Sequence, residues 1–186
     1  THRSQRDAIR LITSGGAVPA LLQNVESTEY STSLRSNEAL AKTVEHLMAV
    51  FHAYGLTNLL VKISGEVPIM DGSALEFCRM VENAEIMAQD GFVEEIRIKE
   101  PISVSMPPGS PKSMTIEPSD CFEVEYHLDY PAPIGRMEMT FRLENPASFK
   151  NQIAPARTFG FVRDMRMMDE MGLAGGGKLS NVVLLD

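Results

Sequence analysis

Glu45 and His46 stand side by side in the stretch TVEHLMA, residues 43–49. A neutral imidazole is the commonest nitrogen ligand for zinc, and a neighbouring carboxylate can take a proton from metal-bound water. On a helix, adjacent side chains diverge by about 100°. One of the pair can therefore bind a metal while the other acts as base, but both cannot easily hold one ion. The same two residues equally suit a hydrogen-bonded structural pair without chemistry. Position 42 is Lys, so the H-x-x-E-H pattern of one zinc-peptidase class is not met.

Two further stretches carry reactive or ligand-binding residue types. GLAGGGKLS matches the spacing G-x-x-x-x-G-K from Gly172 to Lys178, the form of a phosphate-cradling loop. Leu179 stands where that loop needs a magnesium-holding Ser or Thr. The loop also needs a strand before and a helix after, whereas this stretch is expected to follow a helix and precede a strand. A glycine-rich connection that lets backbone approach closely is the better reading. ARTFGFVRD offers the Thr158 hydroxyl, the Phe159 and Phe161 rings and the charges of Arg157 and Arg163. By itself it reads as a helix start with core aromatics. His2, His52 and His127 show no ligand spacing with one another. His52 lies about 120° around the expected helix from His46, and His127 falls on the polar side of an alternating strand.

These residues need elements to hold them. Val44, Leu47, Met48 and Phe51 recur at helical spacing from about Lys42, and Gly55 supplies a stop. LTNLLVKI reads as a buried strand, and PIMDGSA as a turn on Pro68 and Asp71-Gly72. Ser73 and Glu76 have capping-box spacing, opening a helix expected to run to about Gln89. After Phe92, EEIRIKEPISVSM, KSMTIEP, CFEVEYHLDY and RMEMTFRLE read as strands with one buried face. Helices are expected over about 146–152 and 161–171, and NVVLLD as a closing strand. Strand runs mixed with helices predict an α+β protein of two units, residues 1–93 with the Glu-His pair and 94–186.

Composition narrows the function. The 186 residues are 44% apolar and 23% charged, an ordinary globular profile. A net charge of −8 without a basic block excludes electrostatic capture of nucleic acid. No apolar run approaches the length of about 18 residues that marks a transmembrane helix, so a soluble chain is expected. THRSQRDAIRL has neither the apolar core of a secretory signal nor an initiator Met, which predicts a processed or excised piece. Cys78 and Cys121 make no disulfide framework and no metal knuckle, and a reducing cytoplasmic setting is expected. Twelve Met residues fit irregular core filling.

TVEHLMA, EVPIMDGSA, ARTFGFVRD and GLAGGGKLSNVVLLD together, in this order and spacing, resemble the UDP-3-O-acyl-N-acetylglucosamine deacetylases. These are zinc amidohydrolases of lipid A biosynthesis in Gram-negative bacteria. The resemblance covers about residues 18–186. It implies a pair of similar layered α+β domains of the ribosomal protein S5 domain 2 type, the second truncated here, with the active site between them. It also implies hydrolysis of the 2-acetamido group of the UDP-sugar, a cytoplasmic monomer and a zinc cofactor. By the same resemblance His46 is a zinc ligand, Glu45 the general base and Thr158 the hydroxyl that steadies the tetrahedral intermediate. Phe159 packs near the sugar, Tyr30 and Ser31 belong to a segment lining the metal site, and Gly176, Gly177 and Lys178 lie near substrate. Two departures bear on this. The family's remaining zinc ligands come from a His-Lys-x-x-Asp motif that this chain does not contain, and its opening Gly-x-His segment is also absent. The chain is thus expected to be an incomplete part of a deacetylase with an incomplete metal site. The alternative is a non-catalytic remnant that binds a UDP-sugar, an acyl chain or a protein partner.

Overall fold

The computed structural model of the chain describes residues 9–93, 95–170 and 178–186. Contacts divide it into two units, one made of residues up to Ile86 together with Asn145–Asp186, the other of Met87–Glu144.

In the first unit β1 (Ile9–Thr13) pairs antiparallel with β2 (Gly16–Pro19). A second antiparallel sheet follows, formed by β3 (Val25–Ser27), β4 (Ser33–Ser36) and β5 (Ala39–Ala41). Helix α1 (Glu45–Ala53) then buries Leu47, Val50 and Phe51, the i, i+3, i+4 stripe of an amphipathic helix. Gly55, at φ +66°, ends it and donates its N–H to the His52 carbonyl. Strand β6 (Leu59–Lys62) joins β1 in parallel, and α2 (Leu75–Asn83) buries Phe77, Cys78 and Val81. With Leu11, Val18 and Leu34 these side chains form the core.

The second unit contributes β7 (Ile102–Ser105) paired with β8 (Ser113–Ile116), and β9 (Glu123–Asp129) paired with β10 (Arg136–Arg142). The chain returns to the first unit through α3 (Pro146–Gln152), β11 (Phe159–Phe161), α4 (Val162–Glu170) and β12 (Val183–Leu185). Helix α3 starts with a reciprocal cap. The Asn145 side chain accepts the Ser148 N–H at 3.0 Å, and the Ser148 hydroxyl accepts the Asn145 N–H at 3.4 Å. Strand β11 pairs in parallel with β12. The class is α+β, as the patterning predicts, and among the described residues the four α-helices lie in the first unit.

Four local expectations differ from the structure. The cut at residue 93 assigned 145–186 to the second unit, whereas their contacts are with residues up to Ile86. Backbone bonds from Ala74 N–H to Ala154 O (3.0 Å) and from Thr158 N–H to Gly72 O (2.9 Å) tie that return segment down. Helix α2 stops at Asn83, not near Gln89: Ala84 turns to extended backbone (φ −87°, ψ 149°), and Ile86 and Met87 beyond it are exposed. Strand β6, expected to be buried, alternates half-buried and exposed residues. The apolar faces of the β7–β10 strands are also mainly exposed. Cross-strand partners Tyr126 and Met139 share one face and are both open, while Phe141, opposite Val124, is buried. The alternation sorts residues onto faces correctly. Two short hairpins, with no helix of their own among the described residues, lack the area to cover those faces. On the opposite face His127 Nε2 hydrogen-bonds Glu125 at 2.9 Å and Nδ1 stands 3.4 Å from Glu138, in the exposed setting the alternation predicts.

One polar cluster ties three helices together. The Glu82 carboxylate of α2 accepts from Tyr54 Oη, just after α1, at 2.7 Å and from Lys150 Nζ of α3 at 2.6 Å. The Lys150 bond, then the Tyr54 bond, holds the Glu82 carboxyl below its ordinary value of 4.5. A folded-state value depressed in this way contributes stability above the unfolded pKa and loses it as pH falls through the folded one. Glu82→Gln is therefore expected to flatten the acid limb of the stability curve below about pH 4.5. Urea denaturation midpoints at stepped pH would check this, and parallel acid limbs for the two proteins would contradict it.

Candidate functional site

The start of α1 is clamped to the segment that precedes it in space. Glu45 is the first helical residue, and its carboxylate accepts the backbone N–H of Thr32. The Thr32 carbonyl in turn accepts the Val44 N–H at 3.3 Å. Both backbone groups of Thr32 are thus taken by two successive residues of the helix start, which fixes the Glu45 side chain and the 30–32 loop against one another. Tyr30 sits at φ +59° and Thr43 at φ +58°. Left-handed backbone is uncommon outside glycine and a genuine outlier for a β-branched residue such as Thr. Such residues gather where surrounding bonds over-determine the chain, often at functional sites. Here the Thr43 hydroxyl is held by Glu66 Oε1 at 2.8 Å.

His46 is half-buried, next to the exposed Glu45. Tyr30 is exposed and Ser31 half-buried, at the loop that Glu45 holds. Among the described residues no three His, Cys, Asp or Glu side chains come together as a metal site. His46 offers one nitrogen where a catalytic zinc takes three protein ligands, so the described residues do not by themselves fit the ion. An open groove of about 340 Å³, lined by Thr13, Gly15, Glu38, Lys42, Gly65 and Glu66 among others, holds none of the predicted site residues. It adjoins the helix start through Lys42 and Glu66, which flank Thr43 in sequence and in hydrogen bonding.

Thr158 and Phe159 are built on the return segment. Thr158 is exposed, and its backbone is held on both sides, its N–H by Gly72 O and its carbonyl by the Val183 N–H at 3.0 Å. Phe159 packs edge-on against Phe161 with centroids 6.1 Å apart, and the Arg163 guanidinium stacks over Phe161 at 4.3 Å. Arg157 Nε donates to the Asp71 carbonyl at 2.9 Å. Asp71 makes a compact turn: its carboxylate accepts both the hydroxyl (2.8 Å) and the N–H (3.1 Å) of Ser73, which hold its carboxyl below the usual range. The capping box expected at Ser73 and Glu76 is not formed. Ser73 is engaged by Asp71 and accepts the Leu75 N–H at 3.2 Å, while Glu76 pairs with Arg79. Gly176 and Gly177 lie outside the described residues; Lys178 is exposed, and its N–H donates to the Asn181 side chain at 2.6 Å.

Sequence patterning did not single out Asn181, which is 5% exposed, nor the role of Gly72 beyond a turn. The only signal was the Asp-Gly dipeptide, whose partner lies more than a hundred positions away.

Small sheets, a Glu-His pair opening a helix and a threonine just ahead of a short parallel strand belong to an α+β chain. The profile of the LpxC family, UDP-3-O-acyl N-acetylglycosamine deacetylase, matches residues 6–186, and the chain belongs to that family. The UDP-3-O-acyl-N-acetylglucosamine deacetylase of Helicobacter hepaticus is 35% identical over 173 residues, covering 92% of this chain and 57% of that protein. The deacetylase of Hahella chejuensis is 38% identical over 172 residues, 91% of this chain and 56% of its own length. That of Helicobacter pylori strain 26695 is 33% identical over 173 residues, 92% and 58% respectively. The chain thus spans somewhat over half the length of these curated relatives. Among the described residues no helix is long and apolar enough to cross a membrane.

Proposed function

We propose that this chain is part of a zinc-dependent amidohydrolase acting on the 2-acetamido group of UDP-3-O-acyl-N-acetylglucosamine, the committed step of lipid A biosynthesis. The observation that carries the reading is the clamped Glu45-His46 helix start in a chain of the deacetylase family. Water adds to the acetyl carbon, the C–N bond breaks, and acetate and a free 2-amino sugar leave. Glu45 takes the proton from the attacking water and returns one to the leaving nitrogen. The Thr158 hydroxyl donates to the oxyanion of the tetrahedral intermediate. Zinc, if bound there, would supply Lewis acidity toward the attacking water. His46 would be one of its ligands. Tyr30, Ser31, Phe159 and the Gly176-Gly177-Lys178 segment contact substrate. The protein acts in the cytoplasm as a monomer, without nucleic acid.

The test is acetate release from the UDP-sugar by the full-length protein loaded with zinc. Stoichiometric zinc with acetate release supports the reading, and a zinc-loaded protein that leaves the acetamide intact sinks it. The 186-residue chain alone, with one ligand, is expected to show no turnover in the same assay.

A further inference from the structure

Thr158 carries its hydroxyl on an exposed side chain, so the hydroxyl is placed only as well as the peptide beneath it. That peptide is suspended between two partners far away in sequence. Its N–H goes to Gly72 O at 2.9 Å and its carbonyl accepts Val183 N–H at 3.0 Å. Both partners meet at Asn181. Gly72 at φ +85° presses so closely on the Asn181 carbonyl that an added Cβ would stand 2.8 Å from the Asn181 carbonyl carbon. Val183 follows Asn181 by two residues. The turn that launches Val183 is closed by Asn181 itself: its side-chain Oδ1 accepts Lys178 N–H at 2.6 Å, while its own N–H and that of Val182 both donate to Lys178 O at 2.9 Å. A polar side chain buried to this degree needs its hydrogen bonds satisfied, and here they define one turn geometry.

Resting on the deacetylase reading above, we propose that Asn181 is a positioning residue for Thr158, locking the Lys178–Val183 turn so that β12 holds the Thr158 peptide against Gly72. Loss of the Oδ1 acceptor frees the Lys178 amide, loosens the turn and lets the Val183 N–H drift from Thr158 O. Misplacement of a reacting group by about 1 Å costs up to about 100-fold in rate. The same turn fixes the backbone of Lys178.

The experiment uses the full-length, zinc-loaded protein with Asn181→Leu, Asn181→Asp, Thr158→Val and the Leu/Val double variant. Amide hydrogen exchange is read at Thr158 and Val183, with Leu47 and Val50 of α1 as internal controls. In Asn181→Leu, exchange at Thr158 and Val183 is expected to rise about tenfold or more with the α1 amides unchanged. Its kcat/KM is expected to fall about 10–100-fold. Asn181→Asp keeps an acceptor for the Lys178 amide and is expected to recover most of both. The double variant is expected to be no worse than Thr158→Val alone, because the two residues act on one interaction. Unchanged exchange at Thr158 and Val183 in Asn181→Leu overturns the proposal whatever the activity. So does a double variant whose loss is the product of the two single losses. A wild-type protein that releases no acetate sinks the deacetylase reading instead, and the exchange pattern then decides the junction by itself.

Discussion

Glu45→Gln in the full-length protein is expected to lower kcat by about 10²–10⁴-fold, with KM little changed. The substitution is nearly isosteric and keeps an oxygen that can accept the Thr32 N–H, so the clamp between the 30–32 loop and the start of α1 survives. On the proposed reading it removes the proton acceptor, which matters in the transition state and not in substrate binding. A fall in kcat and kcat/KM together, without a rise in KM, is the signature of an interaction made only there. Zinc content should stay at the wild-type level, since the metal ligand proposed for this pair is His46. Steady-state kinetics with metal analysis of the same sample would check both points. Retained kcat would remove Glu45 from the base role. Lost zinc would mean that the carboxylate and not the imidazole holds the metal, the arrangement that helix geometry left open.

How much of this was legible in the sequence depends on whether the determining contacts are local. Helix α3 falls on the expected residues, 146–152, because its start is encoded within four positions by Asn145, Pro146 and Ser148. Helix α1 follows from its apolar spacing and from Gly55, again within one element. The strands of the second unit show the alternation that CFEVEYHLDY and RMEMTFRLE carry, with Glu125 and His127 on one side and Val124 and Tyr126 on the other. Alternation says which residues share a face but not whether anything covers it, and the exposure of Tyr126 and Met139 is where that expectation failed. The capping box failed for a related reason. Ser73 has two suitors, and the Asp71 carboxylate two residues upstream takes its hydroxyl before a helix cap can form. For the site, the Glu-His pair was visible as a pair, but its clamp to Thr32 crosses thirteen positions of loop and sheet. The return of 145–186 to the first unit is carried by backbone bonds at Gly72 and Ala74 and by the Lys150 and Arg157 side chains, whose partners lie 68 and 86 positions away.

Gly72→Ala tests that last kind of contact, and it is expected to be the most destabilising single-methyl addition among the described glycines. Two costs coincide there. At φ +85° an Ala adopts left-handed backbone, which costs about 1–2 kcal/mol. The new methyl would also overlap the backbone carbonyl of Asn181, which cannot rotate away as a side chain would. The two costs separate with controls in the same fold. Gly55 has φ +66° and nothing within 4 Å of an added Cβ, so Gly55→Ala carries backbone strain alone, about 1 kcal/mol. Gly15 has no positive φ, but an added Cβ would meet Glu38 O at 2.5 Å, so Gly15→Ala carries collision alone. Gly72→Ala is expected to exceed each of them and to lose about 3 kcal/mol or more, the range reserved for steric overpacking and special backbone positions. Equilibrium unfolding of the three variants in the full-length protein measures the difference. If Gly72→Ala loses no more than Gly55→Ala, the turn at Asp71-Gly72 is not pressed against Asn181, and the junction that carries Thr158 is looser than drawn. If it loses the sum of both costs, the fold depends on a contact between two backbones, and a glycine at residue 72 is required because any side chain would occupy the space of the Asn181 carbonyl.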